Sequence, residues 1–537
     1  MVAFDANAIG RRVVNAMLAA LRPIDPSQSR QILGLAMLGQ IRLPRDPCIA
    51  FLQPGQLVPT DALDALHSFN VSTTGLAILG ALLDAGYANS HFLDVACEDG
   101  DKLREFNANL HYKGMDDADV AAWLTGIAPD VVMMTSMFTC DFPAADHLCT
   151  LVKKTLPNTV LILGGRHASL MPHWHLENPA IDFLVQGEGE ETIVTLLDGL
   201  SGRKPLIDIG KIAGVYTQQN ASEANSPKGW PEAKLGAQFA WDQVLWKTDK
   251  TWRYKETLLH NSPKDYLYKQ TAAALRSAPL LPTRGCPLAC RFCGSHFNAD
   301  MRPVGIDRLF NDIVDLHGKG VRIFYNISEN FCLDPEDRKL VHKIADFRDS
   351  VKGDFILTNP NSTFLPTYMK GKEPDLEHIE LLRRAGTDLI TISIETFSPR
   401  YDDKKLFKKY TMQQVEALWK QMRAVGFKVH LYMMTGFPGQ TVAELFNDIE
   451  LIRGWLERGL IDAASWSNLL YLPGTPYYKD ALIKGHFDEA LFREWISKGF
   501  NFFAVPDRFN FSEVPTPLLQ EVLANLRRGV YELPKAA

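Results

Sequence analysis

The chain has 537 residues, 46% hydrophobic and 22% charged, with a formal net charge of −6. That length allows about three domains of ordinary size; the lack of an apolar run of about 18 residues predicts no membrane-spanning helix, and the acidic balance gives no broad footprint for nucleic acid. Of eight cysteines, Cys286, Cys290 and Cys293 cluster while Cys48, Cys97, Cys140, Cys149 and Cys332 scatter, which is no disulfide framework and points to a reducing cytoplasm with a small molecule as the default partner.

Residues 1–47 read as a helical extension. The arginines of MVAFDANAIGRRVVNAMLAAL lie inside an amphipathic stretch, a poor secretory signal, so the segment is expected to be part of the folded protein. From 48 to 200, short apolar runs (CIAFLQP, HFLDVA, DVVMMTS, TVLILGG, IDFLVQG) alternate with helical stretches such as TGLAILGALLDAGY and ADHLCTLVKKTL. This predicts an α/β domain, a doubly wound Rossmann-like parallel sheet whose ligand sits beyond the carboxyl ends of the strands. The turns TSMFT, GGRHA and GEGEE fall at those ends, where backbone can approach a phosphate or a ring; each alone is also ordinary turn chemistry. Residues 201–278 read as a linker region, polar in QQNASEANSPKGWPEAKLG. The strip WDQVLWKTDKTWRYK then serves either an anionic substrate or interdomain packing with solvated lysines.

LPTRGCPLACRFCGS sets three cysteines as C-x3-C-x2-C behind a strand-like run. Three thiolates on one short loop suit an iron–sulfur cluster, which normally takes four protein ligands, and leave one iron for something else. A zinc knuckle is the alternative, with His296 three residues past Cys293, but the strand upstream and the elements downstream favour iron. Residues 279–480 continue as helix and strand. IDRLFNDIVDLHGKG places Ile306, Leu309, Phe310, Ile313, Val314 and Leu316 mainly on one face ahead of VRIFYNI. Thr411 with Gln414 and Thr441 with Glu444 read as capping boxes, the first opening a helix with Val415, Leu418, Trp419 and Met422 inward. DFILTN, DLITISI, KVHLYMM and SWSNLLY complete about six β/α units, a partial (β/α)6 barrel with its chemistry at the carboxyl ends. A small C-terminal region, 481–537, is rich in aromatics and arginine.

With Phe292 just before the last cysteine, TRGCPLACRFC resembles the loop of the radical S-adenosylmethionine (SAM) superfamily. The ordered turns ahead of it, with STTGLAILGALLDAGY, resemble the cobalamin-binding domain that precedes many radical SAM modules. From roughly residue 48 to 485 the chain therefore resembles the cobalamin-dependent radical SAM family, methyltransferase-type. The resemblance implies a 4Fe–4S cluster on Cys286, Cys290 and Cys293, with SAM chelated at the unligated iron and an electron donor such as flavodoxin or ferredoxin. It implies SAM contacts at Phe292, at Glu329 (in SEN rather than Gly-Gly-Glu), at Glu395 and at Gly436 of TGFPGQT. Ser136, Thr139, Gly164, Gly165 and His167 would surround the cobalamin nucleotide tail, with Gly187, Glu188, Gly189 and Glu190 beside it. Read singly, a strand-end glutamate is also a cap acceptor and His167 a satisfied loop histidine. The domain lacks D-x-H-x-x-G, so cobalt is expected without that histidine ligand, and the C-terminal region is expected to lie near the substrate. The implied activity is methylation of an unactivated carbon or phosphorus of a small molecule, through a 5′-deoxyadenosyl radical and methylcobalamin. A radical oxidation, cyclisation or ring rearrangement without methyl transfer is the rival, and a cobalamin or iron–sulfur sensor the reading from another class. No residue is singled out as a proton acceptor.

Overall fold

Five of the apolar runs form the parallel strands β1 (Ile49–Gln53), β2 (Ser90–Asp94), β3 (Val131–Thr135), β4 (Val160–Gly164) and β5 (Phe183–Val185). The computed structural model describes residues 41–60, 73–98, 102–205, 211–220, 276–297, 300–402, 406–499 and 505–531. The expected helical extension up to residue 40 and the WDQVLWKTDKTWRYK strip lie outside them. The sheet runs β2-β1-β3-β4-β5 and ends in β6 (Val215–Tyr216), antiparallel to β5. β6 comes from the stretch expected to be linker.

These strands carry no simple alternation because both faces are covered. Phe51, Met133 and Ile162 face one apolar cluster with Leu76, Leu79 and Leu197 of the helices Thr73–Asp84 and Glu190–Leu200. Their neighbours Leu52, Met134 and Leu163 face another with Leu148 and Val152 of helix Phe142–Thr155. The strand order reverses between β1 and β3, the point where such sheets open a crevice at their carboxyl edge. A three-stranded antiparallel ribbon, Gln56–Pro59, Leu103–Asn107 and Leu110–Lys113, is added beside the sheet. Its edge strand LREFN is charged and partly exposed, so no apolar pattern announces it.

The second sheet follows chain order: β7 (Arg276–Leu280), β8 (Val321–Asn326), β9 (Ile356–Thr363), β10 (Leu389–Glu395), β11 (Lys428–Thr435) and β12 (Ala463–Asn468). Every pair is parallel, giving an open six-stranded partial barrel. Alternate residues divide its faces. Ile390, Ile392, Ile394, Val429, Leu431 and Met433 pack against the surrounding helices, which leaves Thr391, Ser393, Glu395, His430, Tyr432 and Ser465 to the inner face. Both capping boxes form, and Val415, Leu418, Trp419 and Met422 are buried as the pattern requires. Helix Ile306–Gly318 departs from its expected face at one place: Val314 is 38% exposed. At about 100° per residue it lies about 100° past Ile313, off the stripe defined by Leu309, Ile313 and Leu316.

Thr441→Ala removes the side-chain acceptor for Glu444 N and should cost about 1 kcal/mol. Trp455→Ala empties a fully buried site against Trp419 and should cost about 3–5 kcal/mol. Urea titrations followed by far-ultraviolet circular dichroism should rank the two in that order.

Candidate functional site

The cysteine loop rises from a two-residue antiparallel ribbon, Thr283–Arg284 against Arg302–Pro303. Inside it, Ala289 adopts a left-handed φ of 51° and Cys293 N donates to Cys290 O at 3.0 Å. Cys286 and Cys290 are buried and Cys293 half-buried. Asn330 Nδ2 donates to Cys286 Sγ at 2.9 Å and Ser295 N to Cys293 Sγ at 3.4 Å. Burial, with Cys293 and Glu329 close by, raises the Cys286 thiol above its usual value, while hydrogen bonds from Leu288 and Asn330 pull it down. The loop after β8 is stitched to this one. Thr283 N donates to Ser328 Oγ at 3.1 Å, and Asp337 accepts from both Thr283 Oγ1 at 2.7 Å and Cys332 N at 3.0 Å. Three cysteines on one short loop, two of their sulfurs accepting from Asn330 and from Ser295 N, fit a cluster held by thiolates.

Two further strand ends complete this edge. Glu395 ends β10 at a register shift, buried and with a left-handed φ of 65°. The next residues are held by Asp448, which accepts from Thr396 Oγ1 at 2.6 Å and Phe397 N at 3.1 Å. Gly436 follows β11 with φ 80°, and a Cβ there would stand 2.3 Å from Asn468 Oδ1, so only glycine fits. Phe437 stacks on Tyr401 at 4.9 Å and meets Phe292 edge-on at 6.3 Å. The structure thus brings Phe292 beside the Gly436 turn and Glu329 beside Cys286, with Glu395 on the strand adjoining β11.

At the carboxyl edge of the first sheet, Ser136, Gly164 and Gly165 come together. Ser136 N donates to Gly164 O at 2.8 Å. A Cβ on Gly165, whose φ is 103°, would lie 2.5 Å from both Ser136 O and Thr135 Oγ1. The Thr135 and Ser136 hydroxyls are buried without a protein partner, a costly state that a ligand's polar tail would relieve. These residues fit a cobalamin nucleotide. Thr139 opens the short turn after them, also buried. His167 keeps its backbone here, His167 N donating to Ser136 O at 3.0 Å. Its ring brings Nδ1 to 3.1 Å from His175 Nε2 and packs on Phe142 and Trp174, leaving its own Nε2 buried without a protein partner. Gly187 N donates to Ser169 Oγ at 2.9 Å, and Gly189 sits tightly against Ile193 and Ile78.

The carboxylates of that turn go elsewhere. Glu188 takes both guanidinium arms of Arg302, and Glu190 pairs with Arg284. Burial alone would lower the Arg284 guanidinium, but Glu190 and Glu188 beside it raise it instead. Arg166 donates to Gly294 O at 2.8 Å and to Glu329 Oε1 at 3.2 Å. Neither Arg166 nor Asn330 stands out in the sequence; their only signal is adjacency, Arg166 within GGR and Asn330 directly after Glu329. A third contact closes the side. Helix Glu489–Gly499 docks on the first domain through Arg493, paired with Glu177 and lying over Phe142.

The carboxyl edges of two α/β sheets thus face each other, one offering glycine turns and unpartnered hydroxyls, the other a three-thiol loop, which defines a protein with two ligand sites on facing edges. Residues 280–452 match the family model of the radical SAM superfamily, and residues 67–197 match that of the B12 binding domain. The chain belongs to the cobalamin-dependent radical SAM family, and its cofactors are a 4Fe–4S cluster, SAM and cobalamin. It is 23% identical over 450 residues to cytidylyl-2-hydroxyethylphosphonate methyltransferase of Streptomyces wedmorensis, covering 79% of this chain and 81% of that one. To an anaerobic magnesium-protoporphyrin IX monomethyl ester cyclase of Cereibacter sphaeroides it is 24% identical over 415 residues, 75% of this chain and 59% of the cyclase. Its fold is similar to that of the radical SAM methyltransferase TsrM from Kitasatospora setae, with a TM-score of 0.57 at 17% identity over 81% of this chain and 76% of that one. No helix among the described residues is long and apolar enough to cross a membrane.

Gly165→Ala should abolish cobalamin binding, measured by absorbance titration, while iron incorporation persists. Burial pushes His167 down to about 3, so it is neutral in the folded chain. The unfolded side chain titrates at about 6.5, so between the two values the unfolded state binds the extra proton. Its stabilisation is complete above that upper value and is lost as pH falls towards the lower one. Lowering the pH from about 7.5 to about 5 should cost about 2 kcal/mol through this histidine. Urea midpoints at the two pH values check this, and His167→Gln should remove that share of the dependence while the buried His175, His378 and His430 keep theirs.

Proposed function

We propose that this protein transfers a methyl group to an unactivated carbon or phosphorus of a small molecule. The observation that carries the reading is the meeting of the two sheet edges through Arg166, which touches the cysteine loop from a turn of the cobalamin domain. A substrate placed between those edges reaches both cofactors at once, which is the positioning such a reaction requires. The methyltransferase names among the relatives of this chain support it. When bound, the cluster and SAM supply a carbon-centred radical for hydrogen removal and cobalamin carries the methyl group.

The chain's own residues hold and orient. We assign Cys286, Cys290 and Cys293 to three irons, with the Asn330 amide on the Cys286 sulfur stabilising negative charge on the cluster. We assign Glu329 to the SAM ammonium and Glu395 to its ribose, with Phe292 and the Gly436 turn beside the adenine. Ser136, Thr139, Gly164 and Gly165 take the nucleotide tail. His167 shapes that turn through its backbone, while its ring meets His175. An electron donor such as flavodoxin or ferredoxin, in a reducing cytoplasm, would supply the cluster.

A second reading, radical cyclisation or oxidation without methyl transfer, is favoured by the cyclase relative, which aligns with three quarters of this chain. The two separate on one measurement. The anaerobically reconstituted protein is given cobalamin, reductant and SAM with a deuterated methyl group, and the corrinoid is examined by mass spectrometry. Label on the corrinoid is expected; unlabelled corrinoid with SAM still cleaved reductively would transfer the assignment to the second reading. Cys290→Ala should abolish SAM cleavage and leave cobalamin affinity within about threefold of wild type, the two groups being held by different sheets.

A further inference from the structure

The base of the cysteine loop poses an electrostatic problem. Arg284 and Arg302 are direct partners in the antiparallel ribbon that closes it, so both side chains leave on the same face. Like charges directly opposite destabilise a strand pair. Here the ribbon is answered from the other domain. Glu188 Oε2 accepts from Arg302 Nη1 at 2.9 Å, its other oxygen takes Nη2, and Oε2 also stands 3.4 Å from Arg284 Nη1. Glu190 takes the remaining arm of Arg284, the two side chains being 16% and 11% exposed. At that burial, salt screens the contact weakly.

We infer that Glu188 and Glu190 are positioning residues for the cluster: the cobalamin domain supplies the carboxylates that let the base of the cysteine loop close, Glu188 being the counter-ion of the Arg284–Arg302 pair. The inference rests on the cofactor set and is independent of methyl transfer. Arg166 secures the far side of the same loop by donating to Gly294 O. Two-armed arginine–carboxylate contacts are directional, so they fix the orientation of the loop as well as its proximity. In sequence the GEGE turn resembled a cobalamin contact; its glycines remain available to that ligand while its carboxylates serve the cluster.

The test uses the whole chain, reconstituted with iron and sulfide and loaded with cobalamin. Glu188→Gln keeps the size and removes the charge. Iron release to a chelator should quicken, and the SAM concentration that shifts the electron paramagnetic resonance spectrum of the reduced cluster should rise, each by about tenfold, with the cobalamin Kd within about threefold of wild type. Adding Arg302→Gln removes one of the two opposed arginines and should recover most of the loss, a rescue that deletion of a merely useful contact does not give. The inference is overturned if Glu188→Gln matches wild type in both cluster readouts, or if the double variant is worse than the single. A loss of cobalamin affinity with an unaltered cluster would also overturn it and make Glu188 a cobalamin contact. If Glu188→Gln cannot be recovered folded, the double variant decides: recovery with a SAM-responsive cluster supports the inference, and failure overturns it.

Discussion

The site is held together by the contact between the carboxyl edges of two parallel sheets, and that contact divides its labour between charge and aromatic packing. On one side stand Arg166, Arg284 and Arg302 with Glu188, Glu190 and Glu329. On the other, Phe142 and Trp174 of the first domain share a buried cluster with Phe437, Tyr477 and Phe492 of the barrel and C-terminal region. An exposed ion pair is worth about 0–1 kcal/mol and a partly buried one spends much of its attraction on desolvation. A buried aromatic contributes about 1.5–3 kcal/mol. Adhesion therefore comes mainly from the aromatic side, and the arginines, whose geometry tolerates little rotation, fix the angle at which the edges meet.

The barrel interior follows from the same constraint. A parallel barrel filled by branched side chains is a core; this one turns Thr391, Ser393, His430, Tyr432 and Ser465 inward while Ile390, Ile392, Ile394, Val429, Leu431 and Met433 feed the apolar shell. His430 lies between Thr391 at 3.4 Å and Ser465 at 2.9 Å, and burial pushes it down to about 4, so it is a neutral bridge across three strands. Its bonds tie β10, β11 and β12 together from within. The shell supplies stability, which frees the inner face to carry polar groups.

Local signals were legible in the sequence and distant ones were not. The apolar runs of β1 to β5 and both capping boxes are each complete within a few residues and appear in the structure as read, and the cysteine spacing, equally local, folds as one loop. The edge strand β6 and the ribbon through Leu103–Asn107 are short and mixed in polarity; pairing, not periodicity, makes them strands. The partners of Arg166 and Arg302 lie 163 and 114 residues away, so no spacing rule connects them. For the same reason the GEGE turn announced a ligand-binding loop without announcing where its carboxylates go, and His167 could be placed on its turn but not turned towards His175.

Backbone strain marks the site independently of any motif. Among the described residues, five other than glycine have a positive φ: Ala128, Ala289, Cys332, Lys352 and Glu395. Ala128 and Lys352 follow helix ends, where the left-handed conformation is common. The other three lie at the strand ends of the barrel, in the cysteine loop, after β8 and at the end of β10. Two of them are restrained by a buried aspartate of the same kind. Asp337 accepts from Cys332 N, and Asp448 accepts from the residues just after Glu395. Burial pushes both carboxyls up to about 6, the mark of a group that would be better solvated in the unfolded chain. Such groups weaken a fold, and strained residues weaken it further. Their pairing at these two strand ends makes sense only if the loop geometry they hold is worth more to the protein than the stability they cost.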